Sequence, residues 1–436
     1  MKIVLVNSVC GYGSTGRIMV DLAKTYMRQG HQCILAYGRG KISGDVKKLL
    51  EKEFPGQCVF YRIGGRFAKI NNTMHGLESR LLDNHGFSSR TATEQFITWL
   101  WHQKPDVIHL HNLHGYYMNI EMLFRYIKRS HIKVLWTLHD CWSFTGHCSH
   151  FGYEGCRKWK SGCYRCPQKK EYPASFCMDA SAKNYAKKKQ IFTGVKDMTI
   201  ITPSEWLKHQ VEQSFLREYP VDVIANGVDQ TVFCPKREEK HKEKKHMEMR
   251  HHKYCVLGVS SVWTQRKGLK YFAALAKRLP DDYDIVLIGL NRKQLDMLEQ
   301  KKQADIYLKK ITGILRTENM LELADYYRNA DVFVNLTLED TFPTTNLEAL
   351  ACGTPIVTFD AGGSPEAVCD AGGCVHKTMQ NCGAVVAKGN VKQLRLAVRT
   401  ICEMSDEKKT QMRLCCVSRA QDYKMQERYK DYLKLL

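Results

Sequence analysis

The chain has 436 residues, enough for two or three domains of about 150 residues each. Its 44% apolar content is that of a globular protein, and no run of about 18 uninterrupted apolar residues is present, so no transmembrane helix is expected. The formal charge of +21 favours anionic partners: nucleic acid, an anionic membrane surface or phosphorylated substrates. The opening strand Met-Lys-Ile-Val-Leu-Val is too short for a signal-peptide core, so a cytosolic protein is expected. In that compartment the 18 cysteines are expected as buried small hydrophobes or metal ligands rather than disulfides.

Lys2 to Asn7 reads as a buried strand, followed by a Gly-rich loop, a helix from about Arg17 to Gln29, and a second strand from His31 to Tyr37. Gly11, Gly13 and Gly16 form G-x-G-x-x-G in the position of a dinucleotide-binding turn. That fingerprint wants an acid at the end of the second strand. Here the strand ends in Ala36-Tyr37-Gly38-Arg39, which leaves open an NADP-dependent oxidoreductase with Arg39 on the 2′-phosphate.

From Gly64 to Trp101 helical patterns mix Arg66, Phe67, Lys69, Arg80, Leu81, Leu82, Phe96, Trp99 and Trp101, a surface able to lie on anionic lipid. Two strands then end in histidines, Asp106 to His111 and Lys133 to His139. Ligands in open α/β sheets bind beyond the carboxyl ends of strands, which marks His111 and His139. Next come Cys148, Cys156, Cys163 and Cys166, the last two as C-x-x-C. Four thiols within 19 residues make a candidate structural zinc site, with Cys141, His147 and His150 as competing ligands. A basic zinc-containing nucleic-acid binder is a further alternative.

Met198 to Thr202 is a strand, and Ser204 is placed to cap the helix after it. Lys236 to Lys253 holds eight Lys/Arg and four Glu with almost no apolar residue, so it reads as a solvated insert, without the aromatic interleaving of a nucleic-acid surface. A second α/β domain starts at Tyr254. Its first strand-to-helix loop carries Arg266 and Lys267, which suit a pyrophosphate. Asp282-Tyr-Asp284 precedes a strand and reads as a turn rather than a metal site. Asp331 to Leu336 is the strand that delivers Asp340. Asn346 to Ala351 is a short helix, Ile356 to Phe359 a buried strand, and Asp360 to Pro365 a glycine turn before a helix opened by Glu366. Carboxylates beside a helix start and a glycine turn fit a sugar plus a phosphate.

Asp340 to Glu366, DTFPTTNLEALACGTPIVTFDAGGSPE, resembles the donor signature of the retaining glycosyltransferases of family four, Glu-x7-Glu followed by Ala-x-Gly-x-Pro-Val and Gly-Gly-x-Pro-Glu. Asp340 stands at the first Glu, which in the family contacts the donor sugar. Glu348 stands at the second, which holds the ribose. The resemblance implies two facing Rossmann-like domains across a cleft, the glycosyltransferase B architecture. They are expected at 1–215, with the Cys-rich stretch 141–166, and at 216–419, with the insert 236–253; a C-terminal helix from about 420 to 436 would pack back on the first. It implies donor contacts from Gly16, Arg316, Thr344, Thr345, Asn346 and Gly363, and a reaction centre of His139, Arg266, Lys267 and Asp340. It implies retaining transfer from a nucleoside diphosphate sugar, UDP favoured, without catalytic metal. Family members from bacterial polysaccharide loci carry similar Cys- and Trp-rich stretches. The expected acceptor is therefore a lipid-linked glycan of capsule or exopolysaccharide synthesis, met at the inner face of the plasma membrane, with no nucleic-acid partner.

Overall fold

The computed structural model describes residues 1–235, 252–369 and 379–436. Residues 236–251, most of the expected charged insert, lie outside the described residues. Two compact units are formed, Met1–Ala225 with Tyr429–Leu436, and Asn226–Arg428.

In the first unit a parallel sheet runs β3-β2-β1-β4-β5-β6-β7. The strands are β1 (Lys2–Asn7), β2 (Gln32–Tyr37), β3 (Cys58–Arg62), β4 (Val107–Leu110), β5 (Lys133–Thr137), β6 (Met198–Thr202) and β7 (Val221–Val223). The helices are α1 (Gly13–Arg28), α2 (Gly44–Glu53), α3 (Ala68–Leu82), α4 (Arg90–Gln103), α5 (Ile120–Ser130), α6 (Ser181–Phe192) and α7 (Glu205–Glu212). Strands β1, β2 and β4 are almost continuously buried, because helices cover both faces of a parallel sheet. Trp136 on β5 packs against Phe124 and Phe192, with ring centroids 5.4 and 4.9 Å away. Ser204 caps α7, its Oγ accepting from the Leu207 amide at 3.2 Å.

The observed division lies ten residues beyond the expected 215/216 boundary, because β7 hydrogen-bonds in register to β6 and completes the first sheet. The chain rejoins this unit only at Tyr429, as 3₁₀ turns rather than a helix from about 420. There Tyr432 is buried against His109 (5.4 Å between rings), and Lys133 donates to the Leu436 carbonyl at 2.8 Å.

The second unit repeats the plan, with strand order β10-β9-β8-β11-β12-β14-β13. Its strands are β8 (Tyr254–Val259), β9 (Tyr283–Ile288), β10 (Ile311–Ile314), β11 (Val332–Asn335), β12 (Ile356–Phe359), β13 (Met379–Gln380) and β14 (Gly383–Val386), of which β13 alone among these is antiparallel. The helices used below are α8 (Leu269–Ala276), α9 (Arg292–Ala304), α10 (Met320–Asn329) and α11 (Thr344–Ala351). Asp284 is a buried β9 residue, not a turn. Its carboxylate accepts from the His252 amide and is paired with the His252 ring, both at 2.7 Å. Glu366 lies in one 3₁₀ turn, Ser364–Ala367, and the chain after it at 370–378 is outside the described residues. Among the described residues no helix is long and apolar enough to cross a membrane.

Candidate active site

In the second unit the strand order reverses between β8 and β11, and ligands in open α/β sheets bind beyond the strand carboxyl ends at such a point. The loops leaving these two strands carry the predicted charges and are fastened together. The Leu338 amide donates to the Arg266 carbonyl at 2.7 Å, and the Arg266 guanidinium donates to the Glu339 carbonyl. Gly268, with φ +77°, lies so close to β11 that a Cβ there would sit 2.0 Å from the Leu336 carbonyl oxygen. The result is an ion pair across the switch point: Lys267 Nζ lies 2.5 Å from Asp340 Oδ2, and Arg266 Nη1 lies 4.0 Å from the same oxygen. All three side chains keep about a fifth to a quarter of their surface open.

The glycine turn holds Asp340 from the other side. The Gly363 amide donates to the Asp340 carbonyl at 2.9 Å, and a Cβ on Gly362 (φ +63°) would lie 2.0 Å from that oxygen. Asn346 in the first turn of α11 ties three segments, accepting from Asn335 at 2.8 Å and donating to the Ser364 carbonyl at 3.1 Å. Thr344 and Thr345, the first two residues of α11, are half-buried where helix amides point outward. Glu348, one turn on, is buried, and Tyr327 of α10 donates its hydroxyl to Oε2 at 3.0 Å. Arg266, Lys267, Asp340, Thr344, Thr345, Asn346, Glu348 and Gly363 thus form one group. Two cations beside one carboxylate suit an anion that brings more than one charge, and the carboxylates suit hydroxyls. Arg316 is exposed after β10, the edge strand three places from β11. Tyr327 was not foreseen, since a tyrosine on an amphipathic helix reads as core.

In the first unit the carboxyl ends are lined by imidazole rings and one carboxylate, Asp140. His109 is bonded to Tyr26 (3.1 Å) and Thr137 (2.8 Å), and burial pushes it down to about 3. His139 Nε2 lies 3.0 Å from His111 Nδ1 with the rings stacked; burial lowers His139 to about 4 against the opposing pull of Asp140. Both imidazoles are therefore neutral at pH 7. His114, offered no role by its spacing, is clamped between Asp140 (2.7 Å) and the Tyr172 hydroxyl (2.9 Å). Burial alone would raise the Asp140 carboxyl; His114, His150 and the Trp142 amide outweigh it and hold it below the usual range. Gly16 sits inside α1. Its position is fixed by packing, since a Cβ would meet Val9 at 3.1 Å and the Gly11 amide at 3.3 Å.

The cysteine stretch wraps a post that the sequence hides. Lys188 is fully enclosed, donates to the Trp142 and Thr145 carbonyls at 2.8 and 3.1 Å, and lies 3.4 Å from the centre of the Trp142 ring; burial pushes it down to about 7. Cys148, Cys156, Cys163 and Cys166 are free thiols gathered near one another. The Cys148–Cys166 hydrogen bond raises the first and lowers the second, and the Gly146 amide donates to Cys163 Sγ at 3.2 Å. Among the described residues no group of three His, Cys, Asp or Glu side chains is arranged to hold a metal ion.

Family models match both halves of the chain. The one described as "Glycosyltransferase Family 4" covers residues 15–232, and "Glycosyl transferases group 1" covers residues 238–414. Among curated proteins the chain is 29% identical over 240 residues to WcaC of Escherichia coli (strain K12), named for glycosyl transfer in colanic acid biosynthesis; this is 52% of the chain and 55% of that protein. It is 26% identical over 159 residues to an Escherichia coli UDP-Gal:alpha-D-GlcNAc-diphosphoundecaprenol alpha-1,3-galactosyltransferase, covering 35% of the chain and 40% of that enzyme. The chain thus spans about half the length, or less, of these relatives. Sucrose-phosphate synthase from Thermosynechococcus elongatus superposes with a TM-score of 0.71 at 15% identity, over 100% of this chain and 98% of that one. Anabaena Alr3699/HepE in complex with UDP gives 0.66 at 14%, over 100% and 99%. The fold is of the glycosyltransferase B type, and the oxidoreductase and nucleic-acid readings find no support beside these matches. With its family model matched over half the length and glycosyltransferase assignments in both halves, the chain belongs to glycosyltransferase family 4.

Proposed function

We propose that the chain is a retaining, metal-independent hexosyltransferase. It moves a sugar from a nucleoside diphosphate sugar, a UDP-sugar first, to a lipid-linked oligosaccharide in capsular or exopolysaccharide synthesis. The observation that carries this reading is the Lys267–Asp340 pair at the β8/β11 switch point, with Arg266 beside it and Glu348 buried behind. Support for the donor comes from the UDP held by HepE, and for the acceptor from the diphosphoundecaprenol substrate in the galactosyltransferase's name.

On donor binding Lys267 exchanges Asp340 for the diphosphate, and Arg266 adds a second cation. Asp340, released, accepts from a sugar hydroxyl. Glu348, oriented by Tyr327, accepts from the ribose hydroxyls. The amides of Thr344 and Thr345, with Asn346 and Gly363, frame the phosphates, and Arg316 flanks the base. Gly16 provides backbone approach, and His139, neutral at pH 7, offers a hydrogen bond to a substrate hydroxyl. As the bond from the anomeric carbon to the diphosphate breaks, its electron pair stays on the leaving oxygen, where the two cations stabilise it. The acceptor oxygen attacks the same face and its proton passes to a diphosphate oxygen, which retains configuration. We place the enzyme at the inner face of the plasma membrane, bound peripherally to an anionic surface.

Thermal unfolding with UDP, GDP, ADP, NADP⁺ and a short single-stranded DNA tests the donor assignment. A ligand at about 100 times its Kd adds roughly 2.7 kcal/mol, so UDP should raise Tm clearly. A rise with NADP⁺ alone would overturn the reading and hand the role to the N-terminal glycine loop.

A further inference from the structure

Helix α3 is built inside out. Its buried face consists of Ala68, His75, Gly76 and Ser79. Its outer face carries Phe67, Ile70, Met74, Leu77 and Leu81, which are 58, 63, 52, 48 and 44% exposed. The spacing of three, four, three and four residues puts these five on one stripe about four turns long. A segment more than ninety residues away extends the stripe. Phe176 and Met178 are 60 and 51% exposed, and their amides donate to the carbonyls of Arg80 (2.8 Å) and Leu81 (3.2 Å) at the end of α3. Single exposed apolar residues are ordinary; seven in a continuous band mark a surface meant to be covered.

The charges around the stripe say what covers it. Residues 54 to 77 contain no Asp or Glu and carry Arg62, Arg66 and Lys69, while the acidic neighbours Glu78 and Asp179 are held by the Ser88 hydroxyl and by the Cys166 and Ser181 amides. Exposed Arg66 lies over the Phe67 ring at 4.8 Å, exposed Lys69 sits beside it, and Arg80 is exposed at the other end. Lys169 reaches the Cys177 carbonyl between Phe176 and Met178 at 3.3 Å. A second copy of the chain would set these cations against each other, whereas phosphate-bearing lipid would neutralise them while taking up the apolar side chains. α4 contributes little to this. Phe96 is fully buried, Trp99 stacks on Tyr61 at 4.2 Å, and Trp101, though half-exposed, stands edge-on to Tyr126 at 4.8 Å, so the broad surface expected over residues 64–101 contracts mainly to α3.

We infer that the face formed by Phe67, Ile70, Met74, Leu77 and Leu81, with Phe176 and Met178, is the surface by which the chain lies on an anionic lipid bilayer. It rests on and deepens the proposed peripheral attachment, by naming the residues that enter the lipid. The face adjoins the ring cluster of the first unit: His75, on the inner side of α3, packs edge-on to Tyr116 (5.9 Å) next to the His85, His114 and Tyr172 rings. A bilayer on the outer side of α3 would therefore lie one helix away from those rings.

The test is co-sedimentation of the full chain with vesicles of phosphatidylglycerol and phosphatidylcholine, against phosphatidylcholine alone, with light scattering in the absence of lipid. The wild type should sediment with the anionic vesicles and lose that binding in high salt. A variant with F67S, I70S, M74S and L77S, and separately one with R66E and K69E, should each bind at least about tenfold less while keeping the wild-type Tm and the Tm rise with UDP. If the serine variant does not fold, the charge variant decides. Undiminished vesicle binding by the folded variants, or equal binding to neutral vesicles, overturns the inference. So does a wild-type dimer that the serine variant dissolves, which would make the stripe a self-association surface. UDP binding is read separately, so failure at the membrane leaves the donor site standing, and failure of the donor site leaves the membrane surface standing.

Discussion

The two units share the order of their first five strands and differ in the chemistry at the strand ends. In the second, the loops beyond β8 and β11 and the helix α11 that follows collect Arg266, Lys267, Asp340 and buried Glu348. In the first, the ends of β4 and β5 collect His109, His111 and His139, whose burial keeps them uncharged. Similar scaffolds thus present one site rich in charged side chains and one lined mainly by neutral rings around the carboxylate of Asp140. The fold sets where a site lies; the side chains on two or three loops set what it can hold.

That contrast can be broken most directly at the charged site. Replacing Lys267 or Glu348 singly by Ala should lower turnover with a UDP-sugar by about 10²–10³-fold, the cost of losing one preorganised electrostatic contact. Near-normal steady-state rates in both variants would sink the assignment of the second unit.

Acid should separate the units. His75 and His109 titrate near 3 and His139 near 4 in the folded chain, all lowered first by burial, against about 6.5 when unfolded. The unfolded chain therefore takes up these protons first. Stability is full above about pH 6.5 and falls as pH drops from there toward 4, by up to about 1.4 kcal/mol per pH unit for each histidine. The described residues of the second unit contain a single histidine, His252, partly open to solvent. Six of the seven tryptophans lie in the first unit, so fluorescence during an acid titration reports mainly on it. Loss of the tryptophan signal should precede loss of UDP binding as pH is lowered; coincident transitions would remove the distinction.

The smallest expected effect sharpens the picture of Glu348. Tyr327→Phe removes one hydrogen bond to a buried carboxylate, which should cost about 1.5–3 kcal/mol of stability and weaken UDP several-fold without abolishing turnover. Isothermal titration with UDP would check this, and an unchanged affinity would make Tyr327 a packing residue only.

Much of this was legible beforehand, because strands buried on both faces are written as continuous apolar runs and their ends as Gly, Asn, Asp and Pro. β1, β6 and β12 lie where the apolar runs put them, and Ser204 caps as its position implied. The group from Arg266 to Gly363 could be assembled from loop positions alone, since parallel strands deliver their following loops to one edge. The helix after the Gly-rich loop starts earlier than read, at Gly13, because backbone bonds and not side-chain periodicity begin it.

What the chain's own letters determined is therefore the order of strands and helices and the charges placed after particular strands, both local properties of composition and period. The tertiary structure alone decided the rest. Lys188, in a run of three lysines that reads as solvated, is driven inside because two carbonyls and the Trp142 ring replace its water. Asp140 and Tyr172, 32 positions apart, close on His114. The stripe on α3 points outward because the inner side of that helix is committed to histidine, glycine and serine against the strand ends. Each of these depends on which distant segment supplies the missing hydrogen bond or apolar contact, and that information resides in the packing and not in any window of the sequence.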